Sequence, residues 1–256
     1  MSPPDLGAAR AAIAACRQAP GGLCVLTGAG MSAESGIPTF RDALTGHWSR
    51  FDPMELASVS GFSANPARVW RWYAERRAGV RSAEPNAGHL ALAAFDERHP
   101  GTLVLVTQNV DDLHQRAGHT DVLRLHGDIL AQRWLGPCKA QQRGAPVCDP
   151  AQADPGDPPR CTECGNLVRP GVVWFGESLP VAALDRAEQA AADCAVMLVV
   201  GTSGAVWPAA GLAERARRGG AEVVIVNPAS SEIDAQAHWL LRGTAAQILP
   251  MLLDGV

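Results

Sequence analysis

Apolar residues occur along this chain in short unbroken runs, and amphipathic stretches separate the runs. Runs of the length typical of buried strands cover residues 23–27, 102–107, 122–125, 195–200 and 222–226. Amphipathic patterns predict helices at residues 6–19, 66–82, 87–98, 181–193, 208–218 and 243–253. Strands that alternate with helices in this order predict an α/β fold with a doubly wound parallel sheet.

Two segments interrupt the alternation. Residues 37–84 are predicted to form a loop followed by a small helical insertion, and residues 128–171 a small cysteine-containing module rich in proline and glycine. The remaining pattern covers residues 1–36, 85–127 and 172–256, which together predict one Rossmann-like domain.

Single residues mark several helix boundaries. Asn65 before Pro66, and Asn86, have the side chain type that caps a helix N-terminus, and Gly219 with Gly220 forms a stop.

Composition restricts the partners. The 256 residues carry a net charge of −4 and give a pI of about 6.0, which argues against a direct nucleic-acid partner because such proteins cluster Lys and Arg. The apolar run at residues 195–200 is too short to span a bilayer, so no membrane partner is expected. The first residues carry no export signal, so we expect a cytoplasmic protein, and we expect a monomer.

A glycine-rich turn follows the first predicted strand. Gly28 and Gly30 are expected to let the backbone approach a pyrophosphate. Free N–H groups and the helix dipole near Ser32 and Ser35 would attract the phosphate charge. Ala33 stands where the dinucleotide fingerprint has its third glycine, so an ordinary strand-to-helix turn is the alternative.

Further sequence motifs follow along the chain, at Gly36–Asp42, Thr107–His114, Leu125–Gly127, Val172–Glu177 and Gly201–Ser203. With them the chain resembles the sirtuins, the NAD-dependent protein deacylases, over most of residues 23–229. The resemblance implies that the Rossmann-like domain binds NAD, which is consumed as a co-substrate. It implies cofactor-binding positions at Gly28, Ala29, Gly30, Ser32, Ile37, Pro38, Thr39, Phe40, Arg41, Gln108, Asn109, Val110, Asp111, Gly201, Thr202, Ser203, Asn227, Ala229 and Ala245. Many relatives carry glutamate where this chain has Ala229, so a carboxylate contact to the adenosine ribose is in doubt.

Three side chains are candidates for catalysis. His126 follows a predicted strand, and an ordinary histidine pKa of about 6.5 leaves it able to accept a proton near neutral pH. A lone histidine in such a place is more often structural, but the resemblance makes His126 the general base. Asn109 and Asp111 lie two apart, so in an extended segment they face one side. They also suit a helix N-cap, and both interpretations stay open. The resemblance implies that Asn109 orients the ribose and a water, and that Asp111 helps to hold the carboxamide of nicotinamide.

One predicted substrate segment comprises Val173, Trp174, Phe175 and Gly176. The resemblance implies that it pairs with the extended backbone of a substrate as an added strand. The alternative is a buried core strand, which does not account for the Phe-Gly-Glu turn.

Tyr73 and Arg76 bear on the acyl group. They lie three apart on a predicted helix and share a face, and Tyr73 is the only tyrosine of the chain. The pattern alone favours an amphipathic surface helix. In class III sirtuins, however, a Tyr-x-x-Arg pair at this place binds the carboxylate of succinyl-lysine, so the resemblance implies an acidic acyl group here.

The cysteines suggest a metal site in the second insertion. Cys161 and Cys164 have the spacing of a zinc ligand pair, and Cys138 with Cys148 could complete four thiolates. Residues 128–171 are therefore expected to be a zinc-ribbon-like module with structural zinc, or one that has lost its metal.

The resemblance thus implies an NAD-dependent protein-lysine deacylase, a desuccinylase and deacetylase that acts on acylated lysines and releases nicotinamide and O-acyl-ADP-ribose. One alternative is ADP-ribosyl transfer or NAD hydrolysis, which would need the same crevice. The other is a non-catalytic module that binds NAD or acyl-lysine, and such a module has no need of Asn109, Asp111 and His126 together.

Overall fold

The computed structural model describes residues 3–39, 52–139 and 149–256. Two compact units are present. The first consists of Met1–Arg41, Ala83–Leu125 and Leu179–Val256, and the second of Asp42–Ser82 and His126–Ser178.

In chain order, the strands are β1 Leu23–Thr27, β2 Leu103–Thr107, β3 Val122–Arg124, β4 Gly127–Trp134, β5 Val168–Val172, β6 Val196–Val200, β7 Glu222–Val226 and β8 Trp239–Leu241. The α-helices are α1 Pro3–Cys16, α2 Pro53–Leu56, α3 Val59–Ala64, α4 Pro66–Ser82, α5 Ala87–Arg98, α6 Leu113–Arg116, α7 Val181–Asp193, α8 Gly211–Arg218 and α9 Ala245–Leu253.

The first unit is built on a parallel sheet. Within the described residues its six strands lie in the order β3-β2-β1-β6-β7-β8, and every pair is parallel. The order runs outward in both directions from β1 and β6, as in a doubly wound Rossmann-like sheet. The predicted fold class is confirmed.

Both faces of the sheet are covered, as the unbroken apolar runs predict. Leu23 and Val25 of β1 face one apolar cluster, which also contains Ile13 of α1 and Leu92 of α5. Cys24 and Leu26 face a second cluster, in which the alanines of α7 and α8 pack closely. Because successive side chains of a strand point to opposite faces, β1 contributes to both cores and lies at the centre of the unit.

Several predicted boundaries are shifted. Helix α1 ends at Cys16 instead of residue 19, because the chain must turn sharply at Gly21 and Gly22, whose φ angles are +79° and +56°. A Cβ atom on Gly21 would lie 1.8 Å from the carbonyl oxygen of Asp193. Helix α8 begins at Gly211 instead of residue 208. Strand β8 was not predicted, because three residues, two half-buried and one buried, give too short a pattern.

The predicted cap residues act as expected. The Asn86 side chain accepts hydrogen bonds from the N–H groups of Gly88 and His89, and Asn65 accepts one from Arg68. Helix α8 ends with Gly219 as its C-cap, followed by Gly220 at a φ of +94°.

The second unit contains the helices α2, α3 and α4 and the antiparallel pair β4 and β5. The side chains of Asp52 and Ser58 cap α2 and α3. Gly61 allows α3 to approach α2, since a Cβ there would lie 2.4 Å from the carbonyl oxygen of Glu55. The strand pair was missed from the sequence because its register shifts at a bulge between Asp128 and Gln132.

In the described part of the chain, no helix combines the length and the apolar character that crossing a membrane requires.

Candidate active site

Four strands of the first unit end in register at one edge of the sheet. Their last residues are partners across the sheet at Thr27, Thr107, Val200 and Val226. The predicted cofactor residues that follow directly are Gly28, Gln108, Gly201 and Asn227. The strand order reverses between β1 and β6, and doubly wound sheets bind nucleotides outside such a reversal.

The glycines of the first turn have a packing role that the sequence did not show. The N–H of Gly28 donates to Val200 at 2.9 Å, and that of Gly30 donates to Gly201 at 2.8 Å. A Cβ atom on Gly28 or Gly30 would lie 2.8 Å from atoms of Gly201 or Thr202. Glycine is required because this turn packs directly against the loop after β6. The N–H groups of Gly28 and Gly30 are thus used within the protein, and the expected close approach of this backbone to a pyrophosphate stays a prediction.

The expected helix after this turn is absent at Ser32. Two single 3-10 turns, Ala29–Met31 and Ala33–Ser35, take its place, and the N–H of Ser32 donates to Ala29 at 3.1 Å. A helix dipole near Ser32 and Ser35 was thus a wrong expectation, since the dipole needs aligned turns to build up.

Asn86 holds these turns, a role that the sequence did not reveal. Its amide nitrogen donates to the carbonyl oxygen of Met31 at 2.8 Å and to the hydroxyl of Ser35 at 3.0 Å. Its oxygen meanwhile caps α5. One side chain therefore links the segment after β1 to the start of a core helix.

Thr202 links the loops that follow β2, β6 and β7 by hydrogen bonds. Its hydroxyl accepts hydrogen bonds from Gln108 at 3.1 Å and from the N–H of Gly204 at 3.2 Å, and its carbonyl accepts from Asn227 at 3.0 Å. Within the described residues, the N–H groups of Thr202 and Ser203 donate to nothing. They are therefore free for a phosphate, as the N–H groups of Gly28 and Gly30 are not.

Ser32 joins two predicted catalytic residues. Its hydroxyl accepts from the Asn109 amide at 3.1 Å and hydrogen-bonds to the Asp111 carboxyl group. Burial raises the pKa of Asp111, although hydrogen bonds from Leu113 and Ser32 and the charge of Arg124 oppose the shift. Asp111 also accepts from the N–H of Leu113 at 3.1 Å, at the start of α6. The contact at the helix start is thus present, and the role of Asp111 in the site stays a prediction.

A buried histidine, to which the sequence pattern assigns no role, supports the backbone of Asn109. His114 Nε2 lies 3.0 Å from the hydroxyl of Thr27, which donates to the hydroxyl of Thr107 at 2.8 Å. Thr107 in turn accepts the N–H of Asn109 at 3.0 Å. This chain of contacts runs across the ends of β1 and β2 to the predicted catalytic asparagine.

The direction of these bonds assigns the tautomer of His114. The Thr27 hydroxyl has one proton and donates it in the hydrogen bond to Thr107. Its oxygen must therefore accept the hydrogen bond from His114 Nε2. Nδ1 is then unprotonated, and it is buried without a partner in the described structure. Burial, together with the nearby His89, His119 and Arg124, lowers the pKa of His114 well below its ordinary value, so the ring is neutral.

The remaining cofactor residues of this unit differ in accessibility. Ala29, Ile37, Thr39 and Val110 are half-buried, and Pro38, Ser203 and Ala229 are exposed. Ala245 is 3% exposed and packs in the core. Phe40 and Arg41 lie outside the described residues.

In the second unit, the backbone around His126 is tightly fixed. The carbonyl of His126 accepts from the N–H of Val173 at 2.9 Å. Gly127 has a φ of +82°, and a Cβ on it would lie 2.3 Å from the carbonyl oxygen of Gly171. Only glycine fits this close left-handed turn. The half-buried His126 is therefore held at the start of β4 through its backbone.

Tyr73 is buried, so the amphipathic surface helix is the wrong interpretation for this residue. It is 3% exposed, and its hydroxyl accepts from Trp174 Nε1 at 2.9 Å. Burial raises the pKa of Tyr73 to about 12, although the charge of Arg76 and the bond from Trp174 oppose the shift. The guanidinium of Arg76 lies 4.7 Å from the centre of the Trp72 ring.

The predicted substrate segment follows β5, and Phe175 within it forms a single parallel bridge with Ser58. Trp174 is 2% exposed whereas Phe175 is 46% exposed. The N–H of Phe175 already donates to Ala57 at 2.9 Å. One backbone edge of residues 173–176 is therefore already paired within the second unit, and pairing of a substrate with this segment stays a prediction. Gly176 has a φ of +84° and completes the turn.

A buried ion pair fixes this turn. Arg169 is 1% exposed, and it donates to both carboxylate oxygens of Glu177, at 2.6 and 2.9 Å. Its guanidinium lies 3.4 Å from the centre of the Trp174 ring. Burial disfavours the charge on Glu177, but hydrogen bonds from Arg169 and from the N–H of Trp174 hold its pKa below the ordinary value. The role of Arg169 was not predictable from the sequence, since nothing in the pattern distinguishes this arginine from a surface residue.

Three of the four predicted metal ligands come together. The sulfur of Cys138 lies 3.9 Å from that of Cys161 and 3.6 Å from that of Cys164. A tetrahedron with zinc–sulfur bonds of about 2.3 Å has edges of about 3.8 Å, so the three thiols fit such an ion. This Cys cluster could hold a zinc ion. Cys148, the fourth predicted ligand, lies outside the described residues.

Comparison with known proteins agrees with this geometry. The Sir2 family model matches residues 28–208, and the chain belongs to the Sir2 family. An NAD-dependent protein deacylase of Ralstonia nicotianae is 55% identical over 90% of this chain and 89% of its own length. A crystal structure of a Sir2 homologue in complex with NAD is 41% identical, with a TM-score of 0.80, and the match covers 94% of this chain and 91% of that one. A Sir2 protein bound to a propionylated peptide is 29% identical, with a TM-score of 0.75 over 92% and 93% of the two chains.

Proposed function

We propose that this protein is an NAD-dependent protein-lysine deacylase that prefers succinyl and related acidic acyl groups and retains deacetylase activity. Membership of the Sir2 family supports the deacylase activity. The proposed acyl preference rests on one observation: Tyr73 is buried, and the charge of Arg76 is close enough to act on the pKa of its hydroxyl. A phenol and a guanidinium together suit a carboxylate, because charge-assisted hydrogen bonds contribute about 1.5–3 kcal/mol each.

The first unit would bind the co-substrate. The side chains of Ser32, Asn109 and Asp111 are connected at the strand ends, where their amide, hydroxyl and carboxyl groups suit a ribose and a carboxamide. The N–H groups of Thr202 and Ser203 suit a phosphate. When bound, NAD supplies the ribose that accepts the acyl group, and it loses nicotinamide.

His126 would act as the general base and accept a proton from a ribose hydroxyl. Asn109 would orient the ribose and the attacking water, and its amide is already fixed by Ser32. Asp111 would hold the carboxamide of nicotinamide, with one carboxylate oxygen fixed by the N–H of Leu113. A preset geometry lowers the entropic cost of reaching the transition state.

The Cys cluster would have a structural role. Three thiolates around one ion would tie the segment after β4 to the Cys161–Cys164 turn, and no reaction step needs this ion. The further expectations of a cytoplasmic monomer without nucleic-acid or membrane partners rest on the sequence alone, and size-exclusion chromatography with light scattering tests the oligomeric state.

The test is product mass spectrometry on one peptide that carries acetyl-, butyryl-, succinyl- or glutaryl-lysine, with and without NAD. We expect nicotinamide and O-acyl-ADP-ribose in equal amounts, with the succinyl or glutaryl peptide turned over fastest. Release of nicotinamide without any acyl peptide would instead support NAD hydrolysis. An ADP-ribosylated protein product would support ADP-ribosyl transfer, and binding without turnover would support a non-catalytic module.

A further inference from the structure

The indole of Trp174 restricts what the hydroxyl of Tyr73 can do. An indole N–H can only donate a hydrogen bond, whereas a phenol can both donate and accept. Trp174 Nε1 lies 2.9 Å from the Tyr73 oxygen, so that oxygen must be the acceptor. The phenolic proton of Tyr73 therefore points away from Trp174.

The proton of Tyr73 has no acceptor among the described residues. The bond from Trp174 is the one hydrogen bond that Tyr73 makes there. Tyr73 is 3% exposed, and its raised pKa of about 12 keeps the phenol protonated at neutral pH. A buried donor without an acceptor is costly, typically by about 1–3 kcal/mol. An acceptor that arrives with a ligand would remove that cost.

Trp174 itself has little freedom to move. Arg169 lies over its ring at 3.4 Å, and Phe62 packs with a ring-centre distance of 5.2 Å. Arg169 is in turn fixed by Glu177 and by the carbonyl oxygen of Val172. The indole N–H of Trp174 therefore points in a fixed direction, and it fixes the orientation of the Tyr73 hydroxyl.

We propose that Trp174 is a positioning residue that holds the Tyr73 hydroxyl as an obligate hydrogen-bond donor and so selects acyl groups that end in an acceptor. The inference rests on the proposed function and adds how the acyl preference is set. A carboxylate gains most, because it offers a charged acceptor to Tyr73. An acetyl or butyryl group ends in a methyl group and leaves the donor unpaired.

The experiment replaces the indole N–H and little else. Trp174 is exchanged for 3-benzothienylalanine, which keeps the two-ring shape and has sulfur in place of N–H. With the phenol free to turn, the ratio of kcat/KM for succinyl over butyryl peptide should fall roughly 3- to 10-fold, the range of one hydrogen bond. Trp174→Phe serves as a second variant and should lower the ratio in the same direction.

The matched control is the same exchange in a Tyr73→Phe background, where no hydroxyl remains to be oriented. There the exchange should not lower the ratio further. An equal loss with both peptides, or the same fall in the Tyr73→Phe background, would mean that Trp174 only supports the structure and would overturn the inference.

The wild-type enzyme tests the underlying proposal separately. If it does not prefer the succinyl peptide over the butyryl peptide, the acyl preference is wrong, and this inference with it. If it shows the preference and the benzothienyl variant shows the same ratio, the inference alone is wrong.

Discussion

The hydroxyl of Thr27 accepts a hydrogen bond from Nε2 of His114 at 3.0 Å, inside the core of the first unit. The Thr27 hydroxyl in turn donates a hydrogen bond to the hydroxyl of Thr107, which accepts a hydrogen bond from the N–H of Asn109. A neutral histidine thereby helps to fix the backbone of the proposed catalytic asparagine without contact with any substrate.

His114→Phe should therefore lower activity through the position of Asn109. The ring keeps its approximate size, but Thr27 loses its donor, so we expect kcat to fall by roughly 5- to 50-fold with a smaller change in the KM for peptide. Steady-state kinetics with saturating NAD measures the effect. His114→Gln keeps an N–H donor and should recover part of kcat. If both variants lost activity only in proportion to their loss of folded protein, His114 would have no role in positioning.

His126→Ala should lower turnover by about 100-fold or more, since a general base typically contributes about that much. Binding of NAD, measured by calorimetry, should persist, because the cofactor-binding residues proposed above lie in the other unit. A variant that still deacylates every peptide at near the wild-type rate would remove His126 from the mechanism.

Arg76→Met should separate the acyl substrates. It removes the charge and keeps much of the aliphatic side chain, so desuccinylation should fall roughly 10- to 1000-fold in kcat/KM, equivalent to about 1.4–4 kcal/mol. Deacetylation should fall far less. Tyr73→Phe should act in the same direction and more weakly.

The matched control for Arg76→Met is Arg71→Met. Arg71 is exposed on the same helix, where its guanidinium donates to the carbonyl of Ala67. An equal change in the succinyl-to-acetyl ratio for both variants would indicate a general effect of charge on the peptide and not a carboxylate contact.

Zinc should co-purify with the protein at roughly one ion per chain. Cys161→Ser should lower the zinc content and the melting temperature, because two elements of the second unit lose their link. Elemental analysis of protein prepared without added zinc gives the stoichiometry. Cys16→Ser is the control, since Cys16 lies in α1 and donates to Ile13. Full zinc after Cys138→Ser plus Cys148→Ser would exclude the four-thiolate arrangement.

His89 should make stability depend on pH. Burial lowers its pKa from 6.5 to about 4, so between these values the unfolded chain binds the proton and the folded chain does not. The contribution of neutral His89 to the free energy of unfolding is thus fully present above pH 6.5. Between pH 6.5 and about pH 4 it falls by about 1.4 kcal/mol for each pH unit. Urea unfolding at pH 7 and pH 5 measures the difference. His89→Gln keeps a residue suited to the capping box at the start of α5 and should reduce it. An equal pH dependence in both proteins would contradict the prediction.

The sequence revealed the sheet and most helices because their apolar runs and caps are local signals. It did not reveal the pairing of β4 with β5, where a bulge hides the alternation, or the contacts of Asn86, Arg169 and His114. Those side chains act on partners distant in sequence, such as Met31 for Asn86 and Thr27 for His114. For the same reason the sequence did not reveal that Gly30 packs against Gly201.

The contact of Gly30 with Gly201 also limits how the protein can evolve. A Cβ on Gly30 would lie 2.8 Å from the Cα of Gly201, and a Cβ on Gly201 would lie 2.6 Å from the carbonyl carbon of Gly30. A side chain gained at one position cannot be compensated at the other, because glycine is already the smallest residue. Neither glycine can therefore be replaced first, because either single substitution creates a clash with the other glycine. Directed evolution for altered cofactor affinity would therefore do better to diversify neighbours such as Ala29 and Ser203 and to leave both glycines out of the library.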